Sequence, residues 1–220
     1  MIIEFAEFRQ KKLILCGDFF LAINILRSSV VLIKLSAMEQ FVIDDHLSLE
    51  KIKLSHAEMI YNSIDDNRKH LRTWLPFVEH TRRVRDTELF IRSIIDKPYG
   101  ERDDVFVIWY KGEFAGLIGF KDTDFLNNKT EIGYWLIKKM TGKGIALLST
   151  KKMINIAFRN MNMNRIQIRC GIGNVKSASI PQKLGFKLEG VERDGELHTG
   201  KYIDLEVYSL LKKEWIESLF

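Results

Sequence analysis

Apolar positions along this 220-residue chain recur at two spacings, and the spacing changes from one stretch to the next. Over residues 41–52 they alternate, as in His46-Leu47-Ser48-Leu49, which predicts a first strand or hairpin. From Ala57 the interval becomes three and four, placing Ala57, Ile60, Tyr61 and Ile64 on one side of a helix. Ser55 with Glu58 reads as its capping box, and Asp65-Asp66-Asn67 ends it. Leu75-Pro76-Phe77 breaks the next segment, because a residue before proline is driven out of the helical region. Residues 87–95 predict another amphipathic helix, with Leu89, Phe90, Ile94 and Ile95 apolar. Residues 105–110 and 113–120 flank Lys111-Gly112 as a hairpin. Its second strand is expected to pair with residues 130–137 across the polar loop 121–129. Gly133 in that third strand reads as a bulge or a close backbone contact.

Residues 139–158 combine a glycine-rich turn with a helix. Gly142 and Gly144 bracket Lys143, and Ala146, Leu147, Thr150, Met153, Ile154, Ala157 and Phe158 then form one apolar face. Residues 165–170 alternate Ile166 and Ile168 with Gln167 and Arg169. After a helical crossover this strand is expected to lie parallel to residues 130–137. Parallel neighbours that separate at their C-terminal ends leave a slot, with the glycine turn at its mouth. Unpaired N–H groups and the positive end of the helix dipole suit such a turn to an anion, a pyrophosphate above all. The stretch has neither the GxxxxGK[ST] of a P-loop nor the third glycine of a dinucleotide fingerprint.

These pieces, followed by Asn174, Ser177 and Leu184-Gly185-Phe186, resemble the GNAT superfamily of N-acetyltransferases. Its signature, Q/R-x-x-G-x-G/A at a helix start, stands here as Thr141-Gly142-Lys143-Gly144-Ile145-Ala146. Thr141 departs from the usual Gln or Arg, which weakens one side-chain contact and leaves the backbone cradle. The resemblance covers most of residues 38–211. Within the superfamily, residues 67–76 and 184–190 look most like the ribosomal-protein N-terminal acetyltransferases.

The resemblance implies an α/β (α+β) fold: a mixed, mostly antiparallel sheet of about seven strands, flanked by helices, with a splayed parallel pair. It implies acetyl-CoA as acetyl donor, without a metal, and direct attack by the acceptor amine. The pyrophosphate would rest on the N–H groups of Lys143, Gly144, Ile145 and Ala146, beside Thr141 and Gly142. The pantetheine arm would run along the backbone of Trp135, Leu136 and Ile137, with Asn174 beside it. Ser177 would protonate the coenzyme A thiolate, Glu196 would accept the amine proton, and Trp74, Phe77 and Glu79 would wall the acceptor groove. Each residue has a plainer reading. Asn174 and Ser177 are favoured helix caps, Trp74 suits a packing corner, Lys143 a solvated side chain, and Glu196 a solvated acid in a glycine-bounded loop. His198 is a second candidate base, and Tyr208 is expected in the core.

Composition narrows this further. With 46% apolar and 29% charged residues the chain is globular, and its net charge of +5 is scattered, without the basic run that nucleic acid would call for. Cys16 and Cys170 support neither a disulfide framework nor a zinc site, which fits a reducing cytoplasmic setting. Residues 13–35 are apolar but interrupted by Asp18, Arg27 and Lys34, so a spanning helix is not expected. Residues 1–37 read as a non-essential extension and residues 38–220 as the catalytic domain. Two alternatives stay open, a small-molecule amine acceptor and a non-catalytic module that binds acetyl-CoA. An apolar strand near the C-terminus would suit a homodimer.

Overall fold

The computed structural model describes residues 39–98 and 103–215. The extension expected at residues 1–37, with Cys16, lies outside the described residues. The chain opens with the hairpin β1 (Gln40–Val42) and β2 (Leu47–Lys51), then α1 (Ala57–Asp66), α2 (Arg68–Leu71) and α3 (Val84–Ile95). The meander β3 (Val105–Tyr110), β4 (Glu113–Asp124) and β5 (Lys129–Leu136) leads to α4 (Ile145–Asn155). There follow β6 (Arg165–Gly171), α5 (Val175–Lys183), β7 (Lys187–His198) and β8 (Lys201–Leu211).

One 8-stranded sheet results, in the order β1-β2-β3-β4-β5-β6-β8-β7, one strand more than the seven or so expected. All neighbours are antiparallel except β5 and β6, whose α4 crossover makes them parallel. Leu47, Leu49, Phe106, Ile108, Ile118 and Ile132 are buried on the sheet, and α1 packs on α3, with Ile60, Ile64 and Ile91 buried. Burying such side chains contributes about 1.5–3 kcal/mol each. Tyr208 is core, as expected, with its hydroxyl donating to Glu206 at 2.9 Å.

Several local expectations are corrected. Ser55 does not cap α1, because a 3-10 turn, Leu54–His56, precedes it and contains Ser55. His56 Nδ1 instead accepts the Lys53 N–H at 3.2 Å. Gly133 is no bulge: it pairs regularly with Gly119, and the β4–β5 irregularity falls between Lys121 and Asp124. β4 continues to Asp124 where a loop was expected, held by Asp103 accepting the Thr123 N–H and by a 2.8 Å bond between the Thr123 and Thr130 hydroxyls. β8 lies between β6 and β7, so the C-terminal edge strand is β7, which exposes Leu188, Val191 and Leu197.

Candidate active site

β5 and β6 are paired only through Lys129↔Arg165, Thr130↔Ile166 and Glu131↔Gln167. Beyond Glu131 the first runs on to Leu136 and the second to Gly171 without pairing to each other. The base of the split is tied by Arg169, whose Nε donates to Glu131 at 2.7 Å. Above it opens a cavity of about 380 Å³, lined by Trp74, Tyr134, Leu136, Gly144, Asn174 and Ser177 among others. A wider concavity of about 930 Å³ lies between α1 and the start of β4, around Asp66, Glu113 and Ile137. It holds neither the glycine turn nor Ser177, so the narrower slot is the candidate site.

The mouth of the slot is the turn before α4. Gly142 and Gly144 sit at φ 78° and 77°, the left-handed region that side chains resist, and a Cβ on either would meet nothing within 4 Å. Their outer faces are therefore open. Among the described residues, the N–H groups from Gly142 to Leu147 have no acceptor within the chain; Leu148 is the first to bond back, to the Gly144 carbonyl at 3.0 Å. Open approach together with free donors at a helix start fits a phosphate group. Ala146 and Leu147, expected in the core, line the slot instead, and Ile145 and Ser149 take the buried positions. Thr141 also lines it, with its hydroxyl turned back to the Lys138 carbonyl at 2.9 Å. Lys143 points away from the slot, its ammonium 5.9 Å above the Tyr110 ring.

Strand alternation decides which β5 groups face the slot. Ile137 donates to the Ala115 carbonyl at 2.9 Å, and its own carbonyl accepts from Met140 at 3.0 Å. Ile137 thus offers no free backbone group, and the same alternation turns Trp135 toward Leu117. Tyr134 and Leu136 are left to face the slot, so of the three residues expected to bind an extended arm only Leu136 presents its backbone. His70 of α2 also lines the cavity. Burial holds its imidazole below the ordinary pKa, partly offset by the nearby Leu136 backbone.

Ser177, Tyr134 and Cys170, from three elements, meet beside the slot, which the first two line. Asn174 caps α5 by accepting the Ser177 N–H at 3.3 Å, which carries Ser177 to the floor. The Ser177 hydroxyl lies 3.3 Å from Cys170 Sγ of β6 and 3.3 Å from the Tyr134 hydroxyl of β5. Burial pushes the Cys170 thiol up to about 11 and also raises the Tyr134 phenol, so both are neutral at pH 7. The sequence assigned neither residue to the site, although the alternation that singles out Leu136 also selects Tyr134.

The acceptor side is aromatic. Trp74 lies over the end of β6, where a Cβ on Gly171 would come within 3.2 Å of its ring. The Phe77 ring lies 6.3 Å from that of Trp135 and tilted to it, outside the cavity lining, and Glu79 is engaged by Arg72 at 2.9 Å. Glu196 is on a strand rather than in a loop: it pairs with Ile203, and the glycine-bounded segment before it is a bulge in β7. Cross-strand partners share a face, and Ile203 reaches Gly171 beside Trp74, so Glu196 lies on the Trp74 side of the sheet but not among the slot residues. His198, two residues on, is buried, and its Nδ1 has no hydrogen-bond partner among the described residues.

Comparison with known proteins agrees with this geometry. Residues 46–187 match the family described as Acetyltransferase (GNAT) domain. The chain is 33% identical over 177 residues to a Bacillus subtilis (strain 168) protein named "Putative ribosomal N-acetyltransferase YdaF", covering 79% of this chain and 95% of that one. It is 25% identical over 171 residues to the ribosomal-protein-serine acetyltransferase of Escherichia coli (strain K12), covering 78% and 96%. The crystal structure of the microcin C7 self immunity acetyltransferase MccE, in complex with acetyl-CoA and AMP, superposes with a TM-score of 0.73 at 28% identity, over 77% of this chain and 94% of that one. With residues 46–187 matched to the family and the parallel split beside the glycine turn in place, this chain belongs to the GNAT family of N-acetyltransferases.

Proposed function

We propose that the enzyme transfers the acetyl group of acetyl-CoA to the N-terminal α-amine of a protein, a ribosomal protein in the first instance. The observation that carries the reading is the slot itself: free N–H groups at the start of α4 at one end, and the Ser177 hydroxyl among half-buried groups at the other. Gly142, Lys143, Gly144, Ile145 and Ala146 would hold the pyrophosphate through the backbone, Leu136 the extended arm, and Asn174 would flank it. Bound acetyl-CoA supplies a thioester activated toward amines. The chain's part is to orient the donor, take a proton from the incoming nitrogen and return one to the departing sulfur.

Ser177 is the proton donor in this reading and Glu196 the acceptor, reaching the amine through water from the Trp74 side. A free α-amine has a pKa of about 7.7–8 against about 10.4 for lysine, so a carboxylate deprotonates the former at far less cost. The aromatic surface of Trp74, Phe77 and Trp135 suits the first side chains of an unfolded N-terminus. The names of the two relatives support a ribosomal acceptor. Release of coenzyme A thiol, followed with peptides bearing free N-termini, N-blocked lysine peptides and spermidine, tests the reading. Glu196→Gln is expected to slow turnover on free N-termini by about 10²-fold, the lower end for a general base, with acetyl-CoA affinity retained. Unchanged turnover removes Glu196 as the base.

A further inference from the structure

The Ser177 carbonyl has lost its ordinary partner. In an α-helix it would accept from the N–H four residues on, but that residue is Pro181, which has none. Pro181 is buried inside α5 rather than at its start, so neither position nor exposure to water excuses the missing bond. The vacancy is filled from another element. The Tyr134 hydroxyl, on the unpaired reach of β5, donates to the Ser177 carbonyl at 3.1 Å. The same oxygen lies 3.3 Å from Ser177 Oγ.

We propose that Tyr134 is a positioning residue that fixes the direction of the Ser177 hydroxyl, and that Pro181 makes this possible by clearing the carbonyl on which the phenol is anchored. The proton count is definite. A phenol has one hydrogen; with that hydrogen committed to the carbonyl, its oxygen can only accept from Ser177. The Cys170 thiol approaches Ser177 Oγ as a donor, at 3.3 Å. Ser177 is therefore held with its hydrogen directed toward β5, the wall along which Leu136 faces the slot, and not left to rotate. During transfer the amine nitrogen bonds to the acetyl carbon as the carbon–sulfur bond breaks. Nitrogen gives one proton to the base, sulfur takes one from Ser177, and Ser177 regains its own from solvent. Tyr134 exchanges no proton in this scheme; its contribution is to keep the Ser177 proton in the slot until sulfur becomes the stronger acceptor.

This inference rests on Ser177 being the proton donor, and the experiment separates the two claims. Steady-state rates are measured with acetyl-CoA and a peptide bearing a free N-terminus, for the full chain and for Ser177→Ala, Tyr134→Phe and the pair. Tyr134→Phe is expected to lower kcat about 10-fold, the rate equivalent of one neutral hydrogen bond, with KM for acetyl-CoA unchanged. The pair is expected to be no slower than Ser177→Ala alone, because a director without a hydroxyl to direct has nothing to lose. Adding Pro181→Ala to Tyr134→Phe returns an N–H to the carbonyl. Melting temperature is then expected to recover while kcat does not. Recovery of kcat would show that Tyr134 only braces α5, and multiplicative losses in the pair would show that it acts independently of Ser177; either overturns the proposal. Wild-type kcat in Ser177→Ala would instead overturn the reading of Ser177 on which it rests.

Discussion

Replacing Gly116 by alanine should damage the slot from the strand behind it. Gly116 pairs with Leu136, and a Cβ there would stand 2.0 Å from the Trp135 carbonyl oxygen and 2.9 Å from Leu136 Cα. Carbon–oxygen contacts settle at about 3.3 Å or more, so β4 and β5 would have to part by roughly 1.3 Å. Overpacking of this kind costs about 1–3 kcal/mol, and a domain of this size loses about 2–4 °C in melting temperature per kcal/mol. A fall of about 2–12 °C is expected. The displacement falls on Trp135 and Leu136, the slot's own wall, and a misplacement of about 1 Å can cost on the order of 10²-fold in rate. The assays are calorimetric melting and titration with acetyl-CoA. Gly133→Ala, on β5, is the control, since nothing lies within 4 Å of a Cβ there, and its melting should not change. Equal melting and affinity for Gly116→Ala and wild type, or equal damage from Gly133→Ala, would show that no such clash governs the slot.

Three further outcomes are expected. Gly144→Val puts a β-branched residue at φ 77° on the helix start, so acetyl-CoA should bind more weakly by calorimetry; equal affinity would remove the glycine turn from the site. The Arg165 guanidinium, gripping Glu189 at 2.6 and 2.5 Å with Ser209 assisting, holds that carboxyl down to about 2 from its ordinary 4.5. A depressed folded-state pKa stabilises above the unfolded value and is lost as pH falls through the folded one. Glu189→Gln should therefore have a lower urea midpoint than wild type at pH 7, with the gap closing between about pH 4.5 and 2; a gap that persists at pH 2 contradicts the pairing. Cys170, buried with its thiol raised to about 11, should alkylate slowly with iodoacetamide at pH 7.5 in the folded enzyme, as read by peptide mass mapping; rapid labelling would contradict its burial.

The sheet was largely legible because its strands carry local signals. Lys111-Gly112 marks the β3–β4 hairpin, and the glycine turn followed by three- and four-residue spacing marks α4 and the crossover that makes β6 parallel. What failed to show depends on partners distant in sequence. Whether Ser55 caps a helix is decided by where the backbone turns, and the 3-10 turn before α1 absorbed it. Gly133 looked like a bulge because a glycine in a strand has several causes, and only pairing with Gly119 excludes that one. Glu196 read as a loop residue because Gly195 and Gly200 bound it, whereas the register with Ile203 makes it part of β7. The Tyr134–Ser177 contact joins residues 43 apart, and Pro181 four residues beyond Ser177 was its one trace in the sequence.

In the proposed reaction, acetyl groups leave acetyl-CoA for an N-terminal α-amine. Incubating the enzyme with acetyl-CoA and a peptide that carries both a free N-terminus and an internal lysine, then fragmenting the product by mass spectrometry, tests it most directly. A single added acetyl group on the first residue is expected, formed more slowly by Ser177→Ala and Glu196→Gln. Acetyl found on lysine alone, or on the N-terminus at the same rate with both variants, would contradict it.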